Sequence, residues 1–477
     1  MKRILAVSAL LFGVAMMLNA KVELPAVFAD NMVLQQQTDA AVWGKSAPGA
    51  KIVITSTWSK KKTVVNADAD GKWFTHIATP KAGGPYEITF NDGDKLTLKN
   101  VLIGEVWICS GQSNMEMPMK GFYGQPVAGA HELIFGAKPS VPIRSCNVAR
   151  QISLEPKDEC EARWYEHTPE GVANASATAY YFAKKLYETL EVPVAVINVS
   201  WGGTPIESWM SPELLRTEFA SEVNMKHFET GVLPNSYQSH CAGVLYNGML
   251  LSVVPFTAKG FLWYQGCTNR HWPERYKRLQ PAFAKMLRQE WENDSMPFYF
   301  VQIAPYEYEG PDKPKAGYMM WAQAQTLELI PNSGMAATHD AGEYACIHPA
   351  NKKVVGDRLA YQALENDYGV GGFDSKTPIP VKFEFKEGEA LVSFGFCALG
   401  LCPINKDLEG FELAGEDKVF HPAKARIIGG ESKQIKVTCP EVPNPVAVRY
   451  GMKNWSTATL FNNFGIPVTP FRSDDWE

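Results

Sequence analysis

Beyond residue 20 the 477-residue chain has no apolar run long enough to cross a bilayer and no basic tract longer than Lys60–Lys62; its nine cysteines contain no CxxC pair. The first absence excludes a spanning helix after that point. The second, with 46 Lys plus Arg against 51 Asp plus Glu, excludes the basic surface that nucleic-acid binding needs. The third excludes zinc-finger spacing, since Cys397 and Cys402 have no second pair. What remains is 45% apolar and 20% charged, with 13 Trp, 18 Tyr and 24 Phe, enough for several packed cores and incompatible with disorder. The length predicts about three domains.

The one long apolar run is at the start. Met1, Lys2 and Arg3 precede an apolar stretch of 15 residues from Ile4 to Leu18, with a small-residue site at Ala20. This pattern predicts a signal peptide over residues 1–20 and an exported mature chain, periplasmic or extracellular. No Cys follows that site, so lipid attachment is not expected there. In an oxidising compartment the cysteines are able to pair, but nine is odd and at least one must stay free or bond elsewhere.

Residues 21–103 carry short Val/Ile/Thr-rich runs broken by PG, DG and GG pairs, which predicts a sandwich-like β domain, either purely structural or carbohydrate-binding. From Gly104 to about residue 370 apolar strands alternate with amphipathic helices. Strands are expected at Glu105–Cys109, Pro193–Val199, Gly260–Tyr264, Phe298–Ile303 and Gly334–Thr338. Helical stripes run through Ala179, Phe182, Ala183, Leu186 and Leu190, then Leu279, Phe283, Met286, Leu287 and Trp291, then Met320, Ala324, Leu327 and Ile330. This is an α/β region with a parallel sheet covered on both faces. Residues 371–477 return to strand-like runs such as VKFEFK and ARIIGG, a second β-rich region.

Reactive groups of an open parallel sheet gather beyond the carboxyl ends of its strands. The expected strands are followed by Ser110–Met115, by Ser200–Thr204, by Gln265–Asn269 and by a segment holding His339, Asp340, Glu343 and His348. A hydroxyl, a glycine pair, amides and an imidazole are the inventory of an ester-cleaving site. Serine needs a base, and the carbonyl oxygen it attacks needs donors as it becomes anionic. Ser113 is the candidate nucleophile and His348 the base. The backbone N–H of Gly203, unshielded by a Cβ, and the neutral amide of Asn269 are candidate oxyanion donors. Pro349 and the stripe Val355, Leu359, Ala363 predict a helix starting directly after His348, whose positive end would favour the neutral imidazole.

The block GEVWICSGQSNMEMPM (104–119) resembles the nucleophile block of sialate O-acetylesterase-like proteins, within the SGNH or GDSL esterase superfamily. SWGGTPIESW (200–209), LYNGML (245–250), WYQGCTN (263–269) and IHPANKKVVGDRLA (347–360) follow in that family's order, with LPAVFADNMVLQQ and FRSDDW at the two ends. The resemblance implies a flavodoxin-like SGNH core flanked by β-rich domains. It also implies hydrolysis of acetyl esters on sialic acids or other glycans, with Ser113, Gly203, Asn269 and His348 in the roles above and neither metal nor organic cofactor. An acetylxylan-type specificity fits the same resemblance, and oligomeric state is not legible.

Two positions depart from the family pattern: Cys267 replaces its usual Glu, and Cys346 replaces its usual Asp two residues before the histidine. These carboxylates are the groups that would orient the base, and loss of a triad acid costs up to about 10⁴ in rate. Asp340, Glu343 or a backbone carbonyl are the candidate replacements. A Cys267–Cys346 disulfide across the two loops is one expectation; two separate thiols are the other. A catalytically silent glycan-binding relative is an alternative to the esterase. A metal site built from His339, Asp340, Glu343, Cys346 and His348 is a second alternative.

Overall fold

The computed structural model describes residues 21–404 and 407–476; the signal peptide expected over residues 1–20 lies outside the described residues. The central sheet is built from β1 (Lys95–Gly111), β2 (Ile143–Val148), β3 (Ala162–Tyr165), β4 (Val194–Ser200), β5 (Gly260–Tyr264), β6 (Phe298–Val301) and β7 (Ser333–Ala336), in the order β7-β6-β5-β1-β4-β2-β3. All neighbours are parallel except β3, which pairs antiparallel with β2. Runs such as VAVINVS in β4 and GFLWY in β5 are buried at every residue, as a sheet covered on both faces requires.

One face is covered by α1 (Ala177–Leu190) and α4 (Lys352–Asp367), which bring Phe182, Leu186, Leu359 and Ala363 onto Trp107, Val196 and Leu262. The other is covered by α2 (Pro273–Glu290) and α3 (Lys315–Gln325), whose Leu279, Phe283, Leu287 and Met320 meet Ile108, Ile197, Phe261 and Trp263. Each fully buried Leu or Phe on these faces contributes about 1.5–3 kcal/mol.

The five expected strands all form. Strands β2 and β3 were not expected, because IRSCNV hides its strand character behind polar residues; Arg144 is buried there on Glu166 at 2.7 Å. The helix after His348 also differs from expectation. It starts at Lys352, capped by Asn351, so Pro349 lies outside its first turn. The Ala350 N–H is held at 2.7 Å by the Glu343 carboxylate, and the helix begins only two residues later.

The N-terminal β region shares a strand with the core. The first part of β1 pairs antiparallel with Gly83–Asn91, residues 102–104 pair with Val33–Gln35, and the same strand continues into the parallel sheet. Glu105 pins the junction, accepting from Gln35 at 3.1 Å, Gln36 at 2.7 Å and Tyr368 at 2.6 Å. The C-terminal region forms a seven-stranded antiparallel sheet that docks on the core, where His339 meets Ser456 at 2.8 Å and Ala316 N donates to Asn454 at 2.9 Å. No helix among the described residues is long and apolar enough to cross a membrane.

Candidate active site

Strands β4, β1 and β5 are neighbours at the centre of the sheet, so the loops after them meet at one edge. Ser113 opens a four-residue helical turn directly after β1, half-buried and still reachable from solvent. The base loop arrives from β7, at the far end of the sheet, and is tied down by Asn114, whose Nδ2 donates to the Ile347 carbonyl at 3.0 Å. The Asn114 Oδ1 accepts from the Lys352 ammonium, which is 1% exposed.

That strapping brings together two residues 235 positions apart: His348 Nε2 lies 2.7 Å from Ser113 Oγ. The other ring nitrogen, Nδ1, lies 2.6 Å from Gln125 Oε1. The Phe122 ring meets the imidazole edge-on, with centroids 5.4 Å apart. Burial, and next the Lys352 ammonium, lower the His348 pKa to about 4, so at neutral pH the ring is neutral and has a lone pair able to accept a proton. Burial likewise lowers Lys352 to about 7. The helix end expected to act on His348 is displaced; burial and a neighbouring cation keep the ring neutral instead.

At the glycine pair the closest approach to Ser113 is made by Gly202. A Cβ on Gly202 would lie 3.2 Å from the Ser113 Cβ and 3.0 Å from Glu116 Oε2, which accepts the Gly202 N–H at 2.8 Å. Gly203 adopts a φ of +76°, and neither its N–H nor that of Ser113 is given to another group among the described residues. Thr268 Oγ1 donates to the Gly203 carbonyl at 2.9 Å, joining the β4 and β5 loops.

Asn269 is buried within a network of its own. Its Nδ2 donates to Glu207 at 2.8 Å, and its Oδ1 accepts from Gln265 at 2.7 Å and from the Ile206 N–H at 3.1 Å. None of these bonds reaches Ser113 or His348. A cavity of about 450 Å³ opens beside this turn, lined among others by Glu207, His240, Thr268, Asn269 and Trp272. The LYNGML block forms a buried π-helical turn whose Asn247 donates to the Leu154 carbonyl at 2.9 Å, a packing role.

The carboxylates considered as replacements do not reach the base. Asp340 is held by Arg358 through two contacts of 2.6 and 2.7 Å, and Glu343 holds the Ala350 N–H. The expected disulfide is absent: Cys346 and Cys267 are both free thiols. Cys346 donates to the His348 carbonyl at 3.3 Å, while Cys267 accepts from the Tyr308 hydroxyl at 3.4 Å. His339, Asp340, Glu343 and Cys346, named for the metal alternative, each face separate partners, and no group of three His, Cys, Asp or Glu side chains that could hold a metal ion assembles among the described residues.

Gln125, Glu207 and Lys352 are the site residues that sequence reasoning missed. Glu207 and Lys352 lie inside the blocks SWGGTPIESW and IHPANKKVVGDRLA, and their place in those blocks was the available signal. Gln125 lies in a loop with no periodicity and nothing marks it.

Residues 103–365 match the family described as carbohydrate esterase, sialic acid-specific acetylesterase. Human sialate O-acetylesterase is 28% identical over 402 residues, covering 77% of this chain and 75% of its own, and the mouse protein is 28% identical over 450 residues, covering 81% and 82%. A carbohydrate acetylesterase from Xanthomonas citri superposes with a TM-score of 0.86 at 32% identity, over 96% of this chain and all of that one. With the family match spanning more than half of the sequence and the fold shared along nearly its whole length, this chain belongs to the sialic acid-specific acetylesterase family of carbohydrate esterases.

Proposed function

We propose that this chain is an exported serine esterase with an SGNH-type core that removes O-acetyl groups from sialic acids or other acetylated glycans, Ser113 acting as nucleophile and His348 as base. The observation that carries the reading is the 2.7 Å contact between Ser113 Oγ and His348 Nε2. Two otherwise weak features, separated by the whole α/β region, meet at hydrogen-bond distance with the imidazole neutral.

His348 Nε2 takes the hydroxyl proton as Ser113 Oγ bonds to the acetyl carbon and the carbonyl electron pair moves onto oxygen. The free N–H groups of Ser113 and Gly203 are the donors for that oxyanion. Asn269 retains one amide hydrogen beyond the one given to Glu207 and is the third. Collapse expels the sugar oxygen, which takes the proton from the imidazolium and leaves as an alcohol. Water then gives a proton to His348 and attacks the acetyl-serine. The second collapse returns the imidazolium proton to Ser113 Oγ and releases acetic acid, which ionises in solvent.

The sugar side of the reading rests on family membership and on the rim of the site. Tyr123 stands fully exposed at a turn tip two residues from Gln125, and Trp272 is half-exposed beside the Asn269 turn. Both offer a flat apolar face to the C–H face of a sugar ring. Export rests on the leader-like start of the sequence. Wild type should hydrolyse p-nitrophenyl acetate and an O-acetylated sialoside, and Ser113→Ala should fall to the background rate on both. Equal rates for the two proteins would favour the silent glycan-binding alternative.

A further inference from the structure

A base must present a lone pair to the serine, so its single proton must sit on the other nitrogen. In His348 that other nitrogen, Nδ1, faces one side-chain atom, Gln125 Oε1 at 2.6 Å. A carbonyl oxygen only accepts, so this contact draws the proton to Nδ1 and leaves Nε2 free for Ser113. The carboxylates of the surrounding loops are committed elsewhere. Asp340 is on Arg358, Glu343 on the Ala350 N–H, Glu116 on the Gly202 N–H and Arg150, and Glu207 on Asn269. The charged group that acts on the imidazole from the following helix is the Lys352 ammonium, and on its own loop the Cys346 thiol donates to the His348 carbonyl.

The segment carrying Gln125 is fixed independently of substrate. Phe122 and Gln125 exchange two backbone hydrogen bonds of 3.0 Å, closing a two-residue turn over Tyr123 and Gly124. Gly124 has a φ of +69°, the left-handed conformation that favours glycine. The ring of Phe122 packs on the same imidazole that Gln125 holds.

We propose that Gln125 is the positioning residue for His348, taking the place of the carboxylates that Cys267 and Cys346 replace, and selecting the imidazole tautomer without supplying a charge. This rests on Ser113 and His348 being the reacting pair. It carries two consequences that a carboxylate would not. An amide turned by half a rotation presents N–H instead of oxygen, which would move the proton to Nε2 and leave Ser113 without a base. An amide also lends only a dipole to the imidazolium formed in the transition state, beside a lysine that opposes it.

The test compares wild type, Gln125→Met and Gln125→Glu. Methionine keeps the length and removes the acceptor; glutamate keeps the acceptor and adds the charge. On p-nitrophenyl acetate, Gln125→Met should lower kcat by about 100-fold with KM little changed. Gln125→Glu should raise kcat at least severalfold and move the acid limb of the pH profile upward, because a neighbouring negative charge favours the imidazolium. Nitrogen-15 NMR of histidine-labelled protein, with His348→Gln for assignment, should show protonated Nδ1 in wild type and a tautomer mixture in Gln125→Met.

The same tautomer and the same titration of His348 in wild type and Gln125→Met would overturn the proposal. So would a Gln125→Met enzyme with wild-type kcat. Because the NMR readout needs no turnover, it judges Gln125 even if Ser113→Ala retains full activity, the result that would overturn the esterase reading instead.

Discussion

The side-chain amide of Asn114, one residue past the nucleophile, donates to the carbonyl of Ile347, one residue before the base, at 3.0 Å. That bond makes the Ser113 turn and the His348 loop one unit, although their strands lie at the centre and the edge of the sheet. Asn114→Ala would leave the Ile347 carbonyl and the buried Lys352 ammonium without this partner, a loss of about 2–4 kcal/mol. The expected outcome is a lower melting temperature together with a kcat reduced at least tenfold. Thermal unfolding followed by circular dichroism and steady-state kinetics on p-nitrophenyl acetate check the two halves separately.

The base titrates low. A histidine whose pKa is pushed down to about 4 stays neutral, and therefore able to accept the Ser113 proton, well below the usual imidazole range. The acid limb of kcat/KM should accordingly lie near pH 4 and not near 6.5. Lys352→Met removes the second cause of that shift and leaves the first, burial, in place, so its acid limb should move upward without reaching the ordinary value. A pH series from 3 to 8 with both proteins reads this directly.

Gly202 and Gly203 should respond differently to alanine. At Gly202 the new Cβ meets the Ser113 Cβ at 3.2 Å and Glu116 Oε2 at 3.0 Å, so the nucleophile or its clamp must shift. A loss of kcat of at least tenfold is expected, with KM nearly unchanged. At Gly203 the nearest atom is His240 Nε2 at an ordinary 3.7 Å, and the cost is the left-handed backbone, about 1 kcal/mol of stability. Kinetics and thermal melts of the two variants should therefore separate, the first losing rate and the second losing chiefly stability.

Tyr123→Ala should discriminate between substrates. With the tyrosine ring wholly in solvent, its removal costs the fold little, so kcat/KM on p-nitrophenyl acetate should stay within about twofold. On an acetylated oligosaccharide KM should rise several-fold, as the loss of one stacking face implies. Equal effects on both substrates would place the tyrosine outside the glycan path.

Much of this architecture was legible because it depends on runs of residue types. The largely apolar strands β4 and β5 and the helical stripes of α1 and α2 announce themselves by residue pattern, and the reactive loops follow from where parallel strands end. Strand β2 escaped because its burial depends on Arg144 meeting Glu166 from a distant segment, which no local pattern encodes. The pairing of Ser113 with His348 was expected from order along the chain, while its cause, the Asn114–Ile347–Lys352 strap, is tertiary. Gln125 was invisible for the same reason. A glutamine in a glycine-rich loop has no signature until folding sets it against an imidazole.

The central claim is that acetyl transfers to the oxygen of Ser113. The most direct test is to quench wild-type enzyme in acid during turnover of p-nitrophenyl acetate and locate the added acetyl group by peptide mass spectrometry. The expected result is one acetyl group on the peptide containing Ser113, lost on incubation of the unquenched enzyme without substrate and never formed in Ser113→Ala. Acetyl on another residue, or full turnover by Ser113→Ala, would contradict the account.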